Sequence, residues 1–117
     1  MLQEQIDPRG IYQLRIYEVS PGKREIFHNR FKNHALRIMK RYDFKVIALW
    51  KSSSVADFEF IYLLKWPDVE VMDRQWKLFL ADDEWIEIKR KTVSESGEPV
   101  LRVISRVINA VDYCPAF

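Results

Sequence analysis

Two histidines, His28 and His34, are the side chains in this sequence best suited to exchange a proton near neutral pH. Both fall in a stretch of helical periodicity between Pro21 and Tyr42. There Phe27, Phe31, His34, Ala35, Ile38 and Tyr42 lie within an arc of about 100° at 3.6 residues per turn. His34 is thereby expected on the buried stripe, almost above Phe27, where it acts either as a base projecting into a pocket or as a hydrogen-bonded core residue. The core role is the commoner one for a lone histidine. His28 is turned about 100° from Phe27, toward the edge of the helix. The two rings point about 120° apart and cannot chelate one metal as an i, i+4 pair does, so no metal site is expected.

Arg15, Tyr17 and Tyr62 offer a different chemistry. In Ile11 to Val19, a run rich in aromatic and β-branched residues, alternation puts Arg15 and Tyr17 on one face of a strand, opposite Tyr12, Leu14 and Ile16. An arginine among apolar neighbours needs an anionic or hydrogen-bonding partner. That partner is either the carboxylate of a ligand or a glutamate of the sheet or the partner subunit, and the structural pairing is favoured. Trp50, Trp66, Trp76 and Trp85 suggest an aromatic cage, with Trp50 as a candidate ligand contact, although each also suits core packing. Arg74 beside the apolar stripe of the later helix could reach a pocket rim or form a solvated salt bridge. The sequence has no Cys/His cluster, glycine-rich phosphate loop or nucleophile elbow, and no cofactor is expected.

These residues must be held by a recognisable order of elements. After the first strand, Ser20 is expected to cap a helix that takes Pro21 at its first position and runs to about Tyr42. Leu36 and Met39 fall off its apolar stripe and would need another surface. Two strands, Phe44 to Lys51 and about Asp57 to Trp66, follow as an antiparallel hairpin. Pro67-Asp68 opens a second helix with Val69, Met72, Trp76 and Phe79 on one face. Asp82-Asp83-Glu84-Trp85 starts a short helical piece ending near Thr92, which would put Lys89-Arg90-Lys91 at a helix C-terminus. A last strand spans Val100 to Val111. The order β-α-β-β-α-β is that of a ferredoxin-like α+β fold: a four-stranded antiparallel sheet with helices on one face.

The strand patterns also point to self-association. Phe44, Val46, Ala48 and Trp50 are assigned to one face of the second strand, and Phe58, Phe60, Tyr62, Leu64 and Trp66 to one face of the third. Ile47, Leu49, Ile61 and Leu63 occupy the opposite faces, where an antiparallel sheet normally meets water. An apolar patch of this kind, worth about 1.5–3 kcal/mol per buried side chain, is expected to pack against a second copy as a homodimer.

Composition narrows the function classes. The 117 residues suffice for one domain; a net charge of +2 gives no strong field for nucleic acid or membrane, and no run approaches transmembrane length. The first ten residues carry no apolar run, so a secretory signal is not expected and a cytosolic setting is. The single cysteine, Cys114, reads as incidental.

With these elements in place, the chain resembles the NIPSNAP family within the larger group of dimeric α+β barrels, over about Tyr12 to Lys91. The resemblance rests on Tyr12-Gln13-Leu14-Arg15-Ile16-Tyr17, on Pro21-Gly22-Lys23 followed by Phe27, Phe31 and His34, and on Asp82-Asp83-Glu84-Trp85. Asp83 stands where the family often has proline. The resemblance implies the same fold and a dimer, but no reaction, since the family has no settled activity and distant barrel relatives include cofactor-free oxygenases, haem-degrading enzymes and stress proteins. Three functions are consistent with the residues. The first is a homodimer that binds a small apolar molecule with an acidic group. The second is a cofactor-independent monooxygenase or isomerase using His34 as base, and the third a purely structural dimer.

Overall fold

A computed structural model describes residues 10–52 and 58–115 of the chain. The elements are β1 (Ile11–Val19), α1 (Arg24–Arg30), a π-helical segment (Phe31–Ala35), α2 (Leu36–Arg41), β2 (Lys45–Lys51), β3 (Glu59–Trp66), α3 (Val69–Leu80), α4 (Asp83–Ser96) and β4 (Val100–Ile108). The strands pair antiparallel in the order β2-β3-β1-β4, the ferredoxin-like α+β arrangement expected. The hairpin connection and Asp57 lie outside the described residues. Among the described residues no helix is long and apolar enough to cross a membrane.

The first helix starts later than its sequence suggests. Ser20-Pro21-Gly22-Lys23 forms a turn in which the Lys23 N–H donates to the Ser20 carbonyl at 3.0 Å. Proline precedes a glycine with φ +83°, the combination that a type II turn demands, and Ser20 caps nothing. The helix then contains a π turn, closed by the Leu36 N–H donating to the Phe31 carbonyl. A π turn holds one residue more than an α turn and so rotates all that follows by about a residue's worth of arc. Met39 thereby enters the core at 2% exposure, whereas His34, placed on the stripe by ideal helical geometry, is only partly buried.

The later helices follow their capping signals. Asp68 accepts the Val71 N–H at 2.8 Å to start α3, and Asp82 accepts the Trp85 N–H at 2.9 Å to start α4. The helix α4 is no short piece: it has 14 residues and runs on to Gly97, whose φ of +80° ends it. Lys89-Arg90-Lys91 therefore sits in mid-helix rather than at a C-terminus. The strand β4 stops at Ile108, short of Val111.

A bulge in β2 changes which residues share a face. Val46 pairs with Leu64, but Ala48 pairs with Leu63, so Ile47 is the extra residue and the alternation shifts by one. Leu49 and Lys51, opposite Tyr62 and Phe60, thus belong to the helix side, while Ala48 and Trp50 join Leu63 and Ile61 on the outer side. The expected outer quartet of Ile47, Leu49, Ile61 and Leu63 is corrected to a row that crosses all four strands: Trp50, Ile61, Ile16 and Ile104, with Ala48, Leu63 and Leu14 beside it. Charged residues bracket this apolar centre, Glu59, Glu18 and Arg102 on one flank and Lys45 and Lys65 on the other.

The core lies between the helices and β3, where Phe60, Tyr62, Leu64 and Trp66, with Phe58 just before the strand, are all at or below 9% exposure. Phe27 and Phe31 pack on Phe60 with ring centroids 5.0 and 4.7 Å away, and Phe44, Trp76, Phe79 and Trp85 continue the aromatic layer. The strand β1 departs from this pattern, since its helix-facing side carries Gln13, Arg15 and Tyr17 while Leu14 and Ile16 face outward.

Candidate functional site

The polar side of β1 forms the floor of a cavity of about 350 Å³ between the sheet and the helices. Phe27, Phe31, Met39, Trp76, Phe79 and Trp85 supply its apolar wall, and Val100, Leu101 and Val103 of the edge strand border it. This volume is at the small end of the range for ligand pockets.

Arg15 is the polar centre of the floor. Its Nη2 donates to the Tyr17 hydroxyl at 3.1 Å and its Nε to the Tyr62 hydroxyl at 3.4 Å. The two hydroxyls are 2.6 Å apart, and the Trp76 ring covers the guanidinium at 4.3 Å. Among the described residues no carboxylate pairs with Arg15. Burial works against the charge of Arg15, but the two tyrosines outweigh it and raise its pKa, so the guanidinium stays charged. Burial, then the neighbouring Tyr17, against the opposing pull of Arg15, pushes the Tyr62 phenol well above its ordinary value and keeps it a neutral hydroxyl.

Donor counting shows what this cluster can do. A guanidinium has five N–H donors, and the phenols take only two. One phenol donates to the other, which leaves the second hydroxyl hydrogen free. Several donors and a positive charge with no carboxylate to neutralise them match an oxyanion.

Gln13 holds the arrangement from behind. Its Oε1 accepts from the indole N–H of Trp66 at 3.0 Å and of Trp76 at 2.7 Å, while its Nε2 donates to Ser105 at 3.0 Å. Trp76 is thus fixed above Arg15 by a residue that alternation puts on the same face as Arg15 and Tyr17. The period of two could have singled out Gln13; the convergence of two indoles from β3 and α3 could not be read from it.

Of the five candidate residues, Arg15 and Tyr17 line the cavity, and Tyr62, at 0% exposure, braces both from beneath. Among the described residues no glutamate of the sheet pairs with Arg15, and the two phenols bind it there instead. His34 lies outside the cavity: it lines a separate surface groove with Asn29, Asn33, Lys91 and Glu95, and its Nδ1 is 3.0 Å from Arg37 Nη2. Trp50, carried to the outer face by the bulge, is 48% exposed and also outside. His28 packs edge-on against Phe58 and Phe60; burial, and to a lesser degree Lys51, lowers its pKa. Arg74 donates to Gln75 at 3.4 Å and does not line the cavity. Arg30 and Lys89, which line it, gave no signal in sequence because both read as ordinary helix-surface cations.

A second polar cluster ties the helices together at a distance from the floor. Asp82 accepts from the Tyr42 hydroxyl at 2.6 Å and from Arg41 at 3.1 Å, and Glu84 pairs with Arg37 and Arg41. The bonds from Arg37 and Arg41 hold the Glu84 carboxyl at about 2. Among the described residues no group of histidines, cysteines and carboxylates is placed to hold a metal.

The fold recurs in solved structures. A NIPSNAP-like domain protein from Burkholderia xenovorans aligns with a TM-score of 0.76 at 21% identity, covering 91% of this chain and 89% of its own. A NIPSNAP family protein from Agrobacterium tumefaciens aligns with a TM-score of 0.78 at 13% identity, covering 90% and 96%. A monooxygenase from Streptomyces coelicolor, solved with nanaomycin D, aligns more loosely with a TM-score of 0.58 at 12% identity, covering 94% and 96%. No curated protein matches the chain. The model of the NIPSNAP family matches residues 12–115, nearly the whole length, and the chain belongs to the NIPSNAP family.

Proposed function

We propose that this protein is a homodimeric binding domain whose cavity takes a small apolar molecule and seats an acidic group of it on Arg15. The observation that carries this reading is the unneutralised guanidinium at the floor of an aromatic cavity, with spare donors from Arg15 and from one of the paired phenols. A monooxygenase or isomerase has less support, because the base expected for it, His34, lies outside the cavity. The likeness to monooxygenases is one of fold.

The row Trp50, Ile61, Ile16 and Ile104 supports pairing of two copies through the outer face of the sheet. A cytosolic setting fits a chain whose single cysteine is free.

Trp76, directly above Arg15, provides the assay. Titration with decanoate and with phenylalkanoates is expected to change tryptophan fluorescence saturably, and Arg15→Gln to weaken binding about tenfold or more, as the loss of charge-assisted hydrogen bonds implies. His34→Ala serves as the control that leaves affinity unchanged. Equal affinity in the Arg15 variant and the wild type would remove the basis of the reading.

A further inference from the structure

The cavity has a second cationic end, which a ligand with one acidic group leaves unused. Arg30, at the end of α1, lines the cavity and is 8% exposed. Among the described residues its one carboxylate partner, Glu98, is 3.5 Å from Nη2, at the limit of hydrogen-bond geometry, and Nη1 is shielded from water with no acceptor. The Trp85 face 5.5 Å from the guanidinium favours its charge but accepts no directed bond. A native structure rarely strands such a donor without a reason.

One further cation lines the same end. Lys89 of α4 is half-buried, and its one partner among the described residues is the Trp85 ring at 5.7 Å. The cavity thus meets three cationic side chains, Arg15, Arg30 and Lys89, against the carboxylate of Glu98 among the described residues. Apolar walls focus such a field onto whatever enters.

The two ends are separated along β1. Arg15 lies opposite Ser105, whereas Val19 lies opposite Val100, beside Glu98 and hence Arg30. Four residues of strand at roughly 3.3 Å each set these levels about 13 Å apart. We infer that the ligand of this cavity is an elongated apolar dianion, with one acidic group on Arg15 and a second on Arg30, flanked by Lys89. This inference rests on the reading of Arg15 as the seat of the first acidic group. A medium-chain or aromatic dicarboxylate has the required length and charge.

The test compares decanedioate with decanoate, acids of equal chain length, on the wild-type protein by tryptophan fluorescence and calorimetry. The dianion is expected to bind roughly tenfold more tightly or better, the increment of a charge-assisted bond to a buried arginine. Arg30→Gln is expected to abolish that preference while leaving decanoate affinity within about twofold, and Lys89→Gln to reduce the preference severalfold. If decanoate binds as tightly as decanedioate, or if both variants keep the preference, the second subsite is refuted while Arg15 stands. If neither acid binds, the Arg15 reading falls and this inference with it. The wild-type comparison needs no variant, so poor folding of the Arg30 protein leaves the test intact.

Discussion

Replacing Gln13 by methionine, a side chain of similar shape with no strong acceptor, removes at one stroke the partner of two indole N–H groups. Trp66 is 1% exposed and has no route to water, so its stranded donor is expected to incur a penalty in the upper part of the roughly 1–3 kcal/mol range for a buried unsatisfied group. Trp76 is only partly buried and falls near the lower end. Together they give a loss of about 3 kcal/mol, or a fall in Tm of roughly 12 °C at about 4 °C per kcal/mol for a chain of this length. The bond to Ser105 adds little, because Ser105 is exposed and its hydroxyl can turn to water. Urea unfolding at fixed protein concentration, followed by circular dichroism, measures the loss, with Ser105→Ala as the comparison, expected within about 0.5 kcal/mol of wild type. The same variant frees Trp76 from its tether over Arg15 and is expected to weaken carboxylate binding. A loss below about 1 kcal/mol, or one no larger than that of Ser105→Ala, would show that the two indoles do not depend on Gln13.

The bulge in β2 makes a prediction about faces: Ile61→Lys is expected to convert a dimer to monomers by light scattering, whereas Leu49→Lys, on the helix side, leaves the mass unchanged. Asp82→Ala loses a helix cap together with the Tyr42 and Arg41 bonds and is expected to cost on the order of 2–3 kcal/mol in urea unfolding. Asp82→Ser, which keeps a capping oxygen, should recover about 1 kcal/mol of that. Glu84 titrates at about 2 in the folded chain against an ordinary 4.5, so the unfolded chain binds its proton first as pH falls. The stabilisation from Glu84 is complete above pH 4.5 and is lost toward pH 2. Acid titrations of Glu84→Gln should show a shallower decline in that window than the wild type.

By itself the sequence determined the architecture, because local signals and global order agree. Period-two runs, the Asp68 and Asp82 caps and short connections leave few arrangements other than the ferredoxin-like sheet, and the resemblance carried by Tyr12 to Tyr17 and Asp82 to Trp85 pointed to the same family. Arg15 and Tyr17 were legible as site candidates for the same reason, since alternation puts both on one strand face. Tertiary structure alone decided the rest, and in each case through one residue's worth of irregularity. The π turn at Phe31–Ala35 took His34 off the buried stripe and brought Met39 into it. The bulge at Ile47 moved Leu49 to the helix side and Trp50 outward. Ideal periods of 3.6 and 2 carry no mark of such insertions, because packing across elements, rather than local propensity, determines where the chain accommodates an extra residue. The same holds for Arg30 and Lys89: their place in the helices was readable, but the wall they share was formed only when α1 and α4 closed over the sheet.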